Sequence, residues 1–211
     1  MRYLVLLITF FSSITLADGV NIYKKAFTSV ALIGTEEAVG SGAIITKSGY
    51  VLTNYHVVEG YSEVDVYVAN ADSLEESKHK AEVVKIAPSK DLALLRIYQP
   101  KVALEPINIS LVVPEIGEEA HAIGHPDGEL WTYTKGYVSQ MNSEYEWSYD
   151  KGYPMTASVY QVQTPTGPGF SGGPLLNKFG NLIGINSFGH GDYQYINYAL
   201  SVEEIIKFIT R

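Results

Sequence analysis

The amino-acid sequence predicts an all-β fold, a sandwich or barrel built from many short strands. Three observations carry that prediction. Apolar or alternating runs recur from residue 28 to residue 201, most of them four to eight residues long. They are rich in Val, Ile, Tyr and Thr, which fit a pleated, half-buried surface. Gly, Pro, Asn or Asp bound them, as turns between strands require.

The elements follow in order. "MRYLVLLITFFSSITLA" has a basic start at Arg2, an apolar run from Tyr3 to Phe11, and small Thr15 and Ala17 before Asp18. That layout predicts a secretory signal peptide over 1–17 and a mature domain over 18–211, secreted or periplasmic. No later stretch is long and apolar enough to span a bilayer, so no membrane span is expected after signal removal. Strands are expected in "TSVALIGT" (28–35), "GSGAIITKSGYVLTN" (40–54), "EVDVYVA" (63–69), "KAEVVKIAPS" (80–89) and "DLALLRIY" (91–98). "DSLEESKHK" (72–80) reads as one solvated helical turn or a loop. "YQPKVALEPINIS" (98–110) carries two prolines and lacks alternation, which makes it the connection between two β lobes. The second half continues with "EAHAIGH" (119–125), "LWTYTKGYVSQ" (130–140), "ASVYQVQT" (157–164), "GGPLLNKFGNLIGINSFG" (172–189) and "YQYINYALS" (193–201). Residues 201–211 predict a helix, because Ser201 and Glu204 have capping-box spacing and Ile205, Ile206 and Ile209 supply an apolar face.

Composition removes several function classes. The chain has no cysteine, which excludes a catalytic thiol and a zinc–thiolate site. Its net charge is −8 and no basic cluster interrupts it, which argues against nucleic acid as a partner. His121 and His125 stand four apart, but in a strand-then-turn context that does not put both on one face, so no metal site is assigned. Trp131, Trp147 and five tyrosines between 131 and 153 read as a hairpin whose aromatics pack across strands or line a cleft.

The chemistry concentrates around "GPGFSGGP" (167–174), where four glycines surround Ser171. A serine becomes a nucleophile only beside a base, and the base needs a carboxylate to fix its tautomer. His56, at the end of the run "VLTNYHVV", and Asp91, opening "DLALLRI", supply both. The order His, Asp, Ser differs from the Asp, His, Ser of subtilisins and the Ser, acid, His of α/β-hydrolases. "GFSGG" does fit a hydrolase nucleophile elbow, but Pro174 and a strand-like run follow it where that fold needs a helix.

With these motifs in order, the sequence resembles the trypsin/chymotrypsin-fold serine proteases, and within them the bacterial HtrA/Deg-type protease domain. The matching pieces are "GSGAIITKSGYVLTNYHVV" (40–58), "DLALLRI" (91–97), "AIGHPDG" (122–128) with "TKGYVS" (134–139), and "PGFSGGPLLNKFGNLIGIN" (168–186). The resemblance implies two six-stranded antiparallel β-barrels and a short C-terminal helix. Barrel 1 would span about 27–98, the connection about 99–108 and barrel 2 about 109–200. His56 and Asp91 would lie on the first barrel and Ser171 on the second, with the N–H groups of Gly169 and Ser171 forming an oxyanion hole. No cofactor and no PDZ domain are expected.

Phe170 departs from the family pattern, which has Asp or Asn before the nucleophile. A phenyl ring cannot pair with an ammonium group, so no N-terminal salt bridge is expected to order the oxyanion loop. By ungapped counting the pocket base is Pro165, without the carboxylate that would select Arg or Lys. Ser187, Phe188 and Gly189 resemble the edge that binds a protein or peptide substrate as an added strand. Thr166, Phe188 and Ile196 would then line a neutral pocket for small or medium apolar side chains. The resulting expectation is a serine endopeptidase acting through an acyl-enzyme. Two alternatives stand beside it: a catalytically silent peptide-binding module on the same fold, or a serine esterase.

Overall fold

The computed structural model describes residues 19–69, 71–149, 154–191 and 193–211. The expected signal peptide over 1–17 lies outside the described residues.

Helix α1 (Gly19–Ala26) and a short 3-10 turn lead into the first barrel. That barrel comprises β1 (Val30–Gly34), β2 (Val39–Ile44), β3 (Tyr50–Thr53), β4 (Glu63–Tyr67), β5 (Lys78–Ala87) and β6 (Leu92–Ile97). Its strands close antiparallel in the order β1-β2-β3-β6-β5-β4. One-turn helices α2 (Tyr55–Val58) and α3 (Leu74–Ser77) interrupt the connections. Residues 98–118 then cross to the second barrel with no regular element.

The second barrel comprises β7 (Glu119–Gly124), β8 (Thr132–Trp147), β9 (Met155–Val162), β10 (Pro174–Leu176), β11 (Leu182–His190) and β12 (Tyr193–Ser201). It closes in the order β10-β11-β12-β9-β8-β7. The chain ends in α4 (Val202–Thr210), where the Ser201 hydroxyl accepts from the Glu204 N–H at 3.3 Å, as the capping spacing predicts. Among the described residues no helix is long and apolar enough to cross a membrane.

Alternation fills each barrel. Ile33, Ile44, Val51, Val66, Leu95 and Ile97 point into the first. Val138, Tyr160, Val162, Leu175 and Ile183 fill the second. A third apolar cluster joins Val30, Leu52 and Leu92 to Ile123, Leu176, Ile185 and Leu200, and it also takes in Ile22 of α1 with Ile205 and Phe208 of α4. This seam locks the barrels together and fixes the cleft on its rim. Both helices thereby bury an apolar face that neither could bury alone.

Candidate active site

Asp91 follows a 3-10 turn and adopts a left-handed backbone (φ 52°, ψ 38°), which Asp tolerates better than most residues. Its side chain is fully buried, so each carboxylate oxygen needs donors. They come from both barrels. His56 Nδ1 lies 2.9 Å from both oxygens, and the His56 N–H donates to Oδ1 at 3.0 Å. The Ser187 hydroxyl donates to Oδ2 at 2.6 Å, and the Tyr149 hydroxyl to the same oxygen at 3.3 Å. Asn54 Nδ2 donates to the Asp91 backbone oxygen at 3.0 Å, tying β3 to the start of β6. A carboxylate beside Nδ1 fixes the proton there and leaves Nε2 as the basic nitrogen.

Ser171 sits in a turn stitched to both barrels. The Ser41 N–H donates to the Ser171 carbonyl at 2.8 Å, and the Gly172 N–H to the Asn186 carbonyl at 2.8 Å. Two positions demand glycine. At Gly172 (φ +85°) a Cβ would sit 2.1 Å from the Ser41 carbonyl oxygen and the Thr53 hydroxyl; at Gly169 (φ +96°) it would sit 2.2 Å from the His125 carbonyl oxygen. The Pro168 carbonyl accepts from the Asp127 N–H at 3.2 Å. Because the peptide unit is planar and trans, the Gly169 N–H points the opposite way from that carbonyl.

Behind this turn lies a buried contact that the sequence did not disclose. The Ser41 hydroxyl donates to the Gly169 carbonyl at 2.6 Å and accepts from the His125 N–H at 3.2 Å, with His125 Nδ1 at 3.0 Å. Ser41 and His125 are both fully buried. Desolvation pushes the His125 imidazole down to about 4, so it is neutral near pH 7 and its Nδ1–H donates to Ser41. Phe170 is buried with its ring against Gly124. An apolar anchor and a neutral hydrogen-bond network therefore stand where a charged anchor would need a carboxylate.

The cleft between the barrels is lined by His56, Tyr149, Thr166, Ser171, Phe188 and Asn197, with the backbone of 186–190 along one side. Of the expected binding residues it gathers Thr166, Ser187, Phe188 and Gly189. Pro165 is exposed and Ile196 packs toward the apolar seam; neither lines the cleft. Asn197 stands at the position expected for Ile196, paired with Gly189 and donating from Nδ2 to the Thr164 carbonyl at 2.9 Å. Strand β11 pairs with β10 only through Ile185, so its edge beyond Ser187 is open on that side. A bulge between Asn186 and Phe188 turns the Ser187 carbonyl out of the ladder, where the Ser171 hydroxyl donates to it at 3.0 Å.

Tyr149 is the other residue the sequence did not single out. Beyond the barrel wall, β8 and β9 continue as a two-stranded ribbon with Tyr145 opposite Ala157 and Trp147 opposite Met155. Trp147 stacks on Phe188 at 4.7 Å, and Tyr145 lies 4.6 Å from Tyr198. The ribbon thus leans on the cleft and carries Tyr149 to His56 and Asp91. Its general signal was the aromatic-rich stretch 131–153; nothing local marked the one residue.

Residues 40–185 match the family described as the trypsin-like peptidase domain. The chloroplastic Protease Do-like 1 of Arabidopsis thaliana is 35% identical over 176 residues, covering 83% of this chain and 38% of that protein. A probable periplasmic serine endoprotease, DegP-like, of Chlamydia trachomatis is 34% identical over 164 residues, covering 76% of this chain and 31% of that protein. The chain therefore spans about a third of the length of these curated relatives. Among solved structures, the HtrA-type protease AlgW with a tripeptide superimposes with a TM-score of 0.76 at 26% identity, covering 92% of this chain and 62% of that one.

Proposed function

The chain belongs to the trypsin-like peptidase family, and we propose that it is a serine endopeptidase acting through His56, Asp91 and Ser171. The observation that carries this reading is the buried Asp91 carboxylate, held against His56 Nδ1 by both oxygens in a cleft that also contains Ser171. Burying a carboxylate is costly without strong partners. Here the partners are those that set a histidine as a base.

An extended peptide adds to the open edge at Ser187–Gly189 as a further strand. Its N–H competes for the Ser187 carbonyl and frees the Ser171 hydroxyl, which rotates about Cα–Cβ toward His56 Nε2. Ser171 Oγ attacks the peptide carbonyl carbon while its proton passes to Nε2. The tetrahedral oxyanion accepts from the N–H groups of Gly169 and Ser171; the Asp127–Pro168 bond and the Ser41–Gly169 bond support the orientation this needs. Collapse expels the amine with the proton from His56, leaving an acyl-enzyme. Water then repeats the sequence, and the acid leaves. Asp91 stabilises the imidazolium throughout. No step calls for a cofactor.

Small or medium apolar side chains before the scissile bond are preferred. The support is a cleft whose walls carry no carboxylate and no Lys or Arg among the described residues. Secretion or periplasmic residence is supported by the signal-like segment 1–17 and by the Chlamydia relative's name, while the Arabidopsis relative is chloroplastic. Matched peptide amides and esters with valine before the scissile bond test the reaction, with Ser171→Ala as control. Cleavage of both, abolished in the variant, is expected. Cleavage of esters alone would make the protein an esterase, and cleavage of neither would make it a binding module.

A further inference from the structure

Tyr149 comes from the ribbon of the second barrel, yet its ring centroid lies 4.7 Å from that of His56, tilted by 52°. Its hydroxyl is 3.3 Å from Asp91 Oδ2 and 3.4 Å from the Ser187 hydroxyl. These contacts hold the ring at two places, its face against His56 and its hydroxyl against the Asp91 and Ser187 pair. Burial raises the phenol well above its ordinary range, so the hydroxyl remains a donor at every working pH.

The location of the ring decides what it does. Side chains of an extended strand alternate between opposite faces. In a peptide paired with residues 187–189, the side chain before the scissile bond enters the cleft between Thr166, Gly189 and Asn197. The preceding side chain then turns the other way, toward His56. That space is where the Tyr149 ring stands.

We propose that Tyr149 is the wall of a second side-chain subsite beside His56, restricting the residue two positions before the scissile bond to glycine or alanine. The inference rests on the cleft being the peptide site assigned above. Its chemistry is steric: the ring cannot retreat without giving up its hydroxyl's contacts and its packing on His56. A residue of leucine size must displace it or forgo the site, and misfits of this scale discriminate by roughly 10- to 200-fold.

The test measures binding on the Ser171→Ala background, so that it does not depend on turnover. Acetylated hexapeptides with valine before the scissile bond carry Ala, Val, Leu or Phe at the position preceding it. The alanine peptide should bind at least about tenfold more tightly than the leucine and phenylalanine peptides. Adding Tyr149→Ala should erase that ratio by strengthening the large-residue peptides. Tyr149→Phe, which keeps the ring and the fold, should retain it. Equal affinity across the series, discrimination that survives Tyr149→Ala, or failure of every peptide to bind overturns the assignment. Fluorophosphonate labelling of Ser171 in the wild-type chain reports on catalysis separately. Labelling without discrimination keeps the protease and removes the subsite, and discrimination without labelling does the reverse.

Discussion

Replacing Ser41 by alanine tests whether the turn proposed to form the oxyanion hole is held by neutral contacts rather than by charge. The substitution removes one oxygen from a fully buried site and leaves the Ser41 N–H bond to the Ser171 carbonyl intact. Three groups lose their shown partner: the Gly169 carbonyl at 2.6 Å, the His125 N–H at 3.2 Å and His125 Nδ1 at 3.0 Å. A buried polar group left unpaired costs about 1–3 kcal/mol. Local relaxation recovers part of this, so a net loss of about 3 kcal/mol in unfolding free energy is expected. Catalysis should suffer separately, because an unheld Gly169 carbonyl lets its turn rotate and misaims the Gly169 N–H. Loss of one oxyanion donor lowers turnover by about a hundred- to a thousandfold. KM should hardly move, since the 187–189 edge and the side-chain pocket are untouched. Urea unfolding gives the first quantity and steady-state hydrolysis of a peptide amide the second. A stability loss below about 1 kcal/mol with kcat unchanged would refute the reasoning.

Three further outcomes follow from the same geometry. Phe170→Ala should cost about 3–5 kcal/mol in urea unfolding, because a ring packed against Gly124 leaves a cavity. A loss under about 1 kcal/mol would show that the ring anchors nothing. Extending the chain before Asp18 by ten or so residues should leave kcat/KM unchanged, since Phe170 offers no carboxylate to a new N-terminus; a large loss would contradict the apolar anchor. Acid should destabilise the fold through His125, whose pKa drops from 6.5 to about 4 on burial. Below about pH 6.5 the unfolded chain binds a proton that the folded chain does not, so stability falls as pH drops toward 4, by up to about 3 kcal/mol. His121, lowered for the same reason, acts in the same direction. Urea midpoints at pH 7 and pH 4.5 measure the slope, and His125→Asn should flatten it.

The three residues proposed as the triad could be picked out because each is marked locally. His56 and Asp91 stand at the ends of apolar runs, and Ser171 is ringed by glycines that only a special backbone requires. The terminal helix was legible for a similar reason, since Ser201 and Glu204 announce its start. Helix α1 was not expected. Eight residues are too few to be helical alone, and α1 owes its stability to docking, with Tyr23 edge-on to Tyr133 and Lys25 donating to the Phe179 carbonyl at 2.5 Å. The pocket shows a different limit. Bulges between Asn186 and Phe188 and between Gly189 and His190 shift the β11–β12 register, and a one-residue shift exchanges the faces of a strand. Counting along the sequence therefore reached Ile196, where the cleft receives Asn197. Ser41 meets His125 and Gly169, and Tyr149 meets Asp91, through contacts spanning 58 to 128 positions in sequence. No local pattern encodes such pairings.

The central claim is that Ser171 is an activated nucleophile, and intact mass after a fluorophosphonate probe tests it most directly. Residues 18–211 should gain one adduct, while Ser171→Ala gains none and His56→Ala labels far more slowly. An unlabelled wild-type chain, or one labelled equally with Ser171→Ala, would contradict the account.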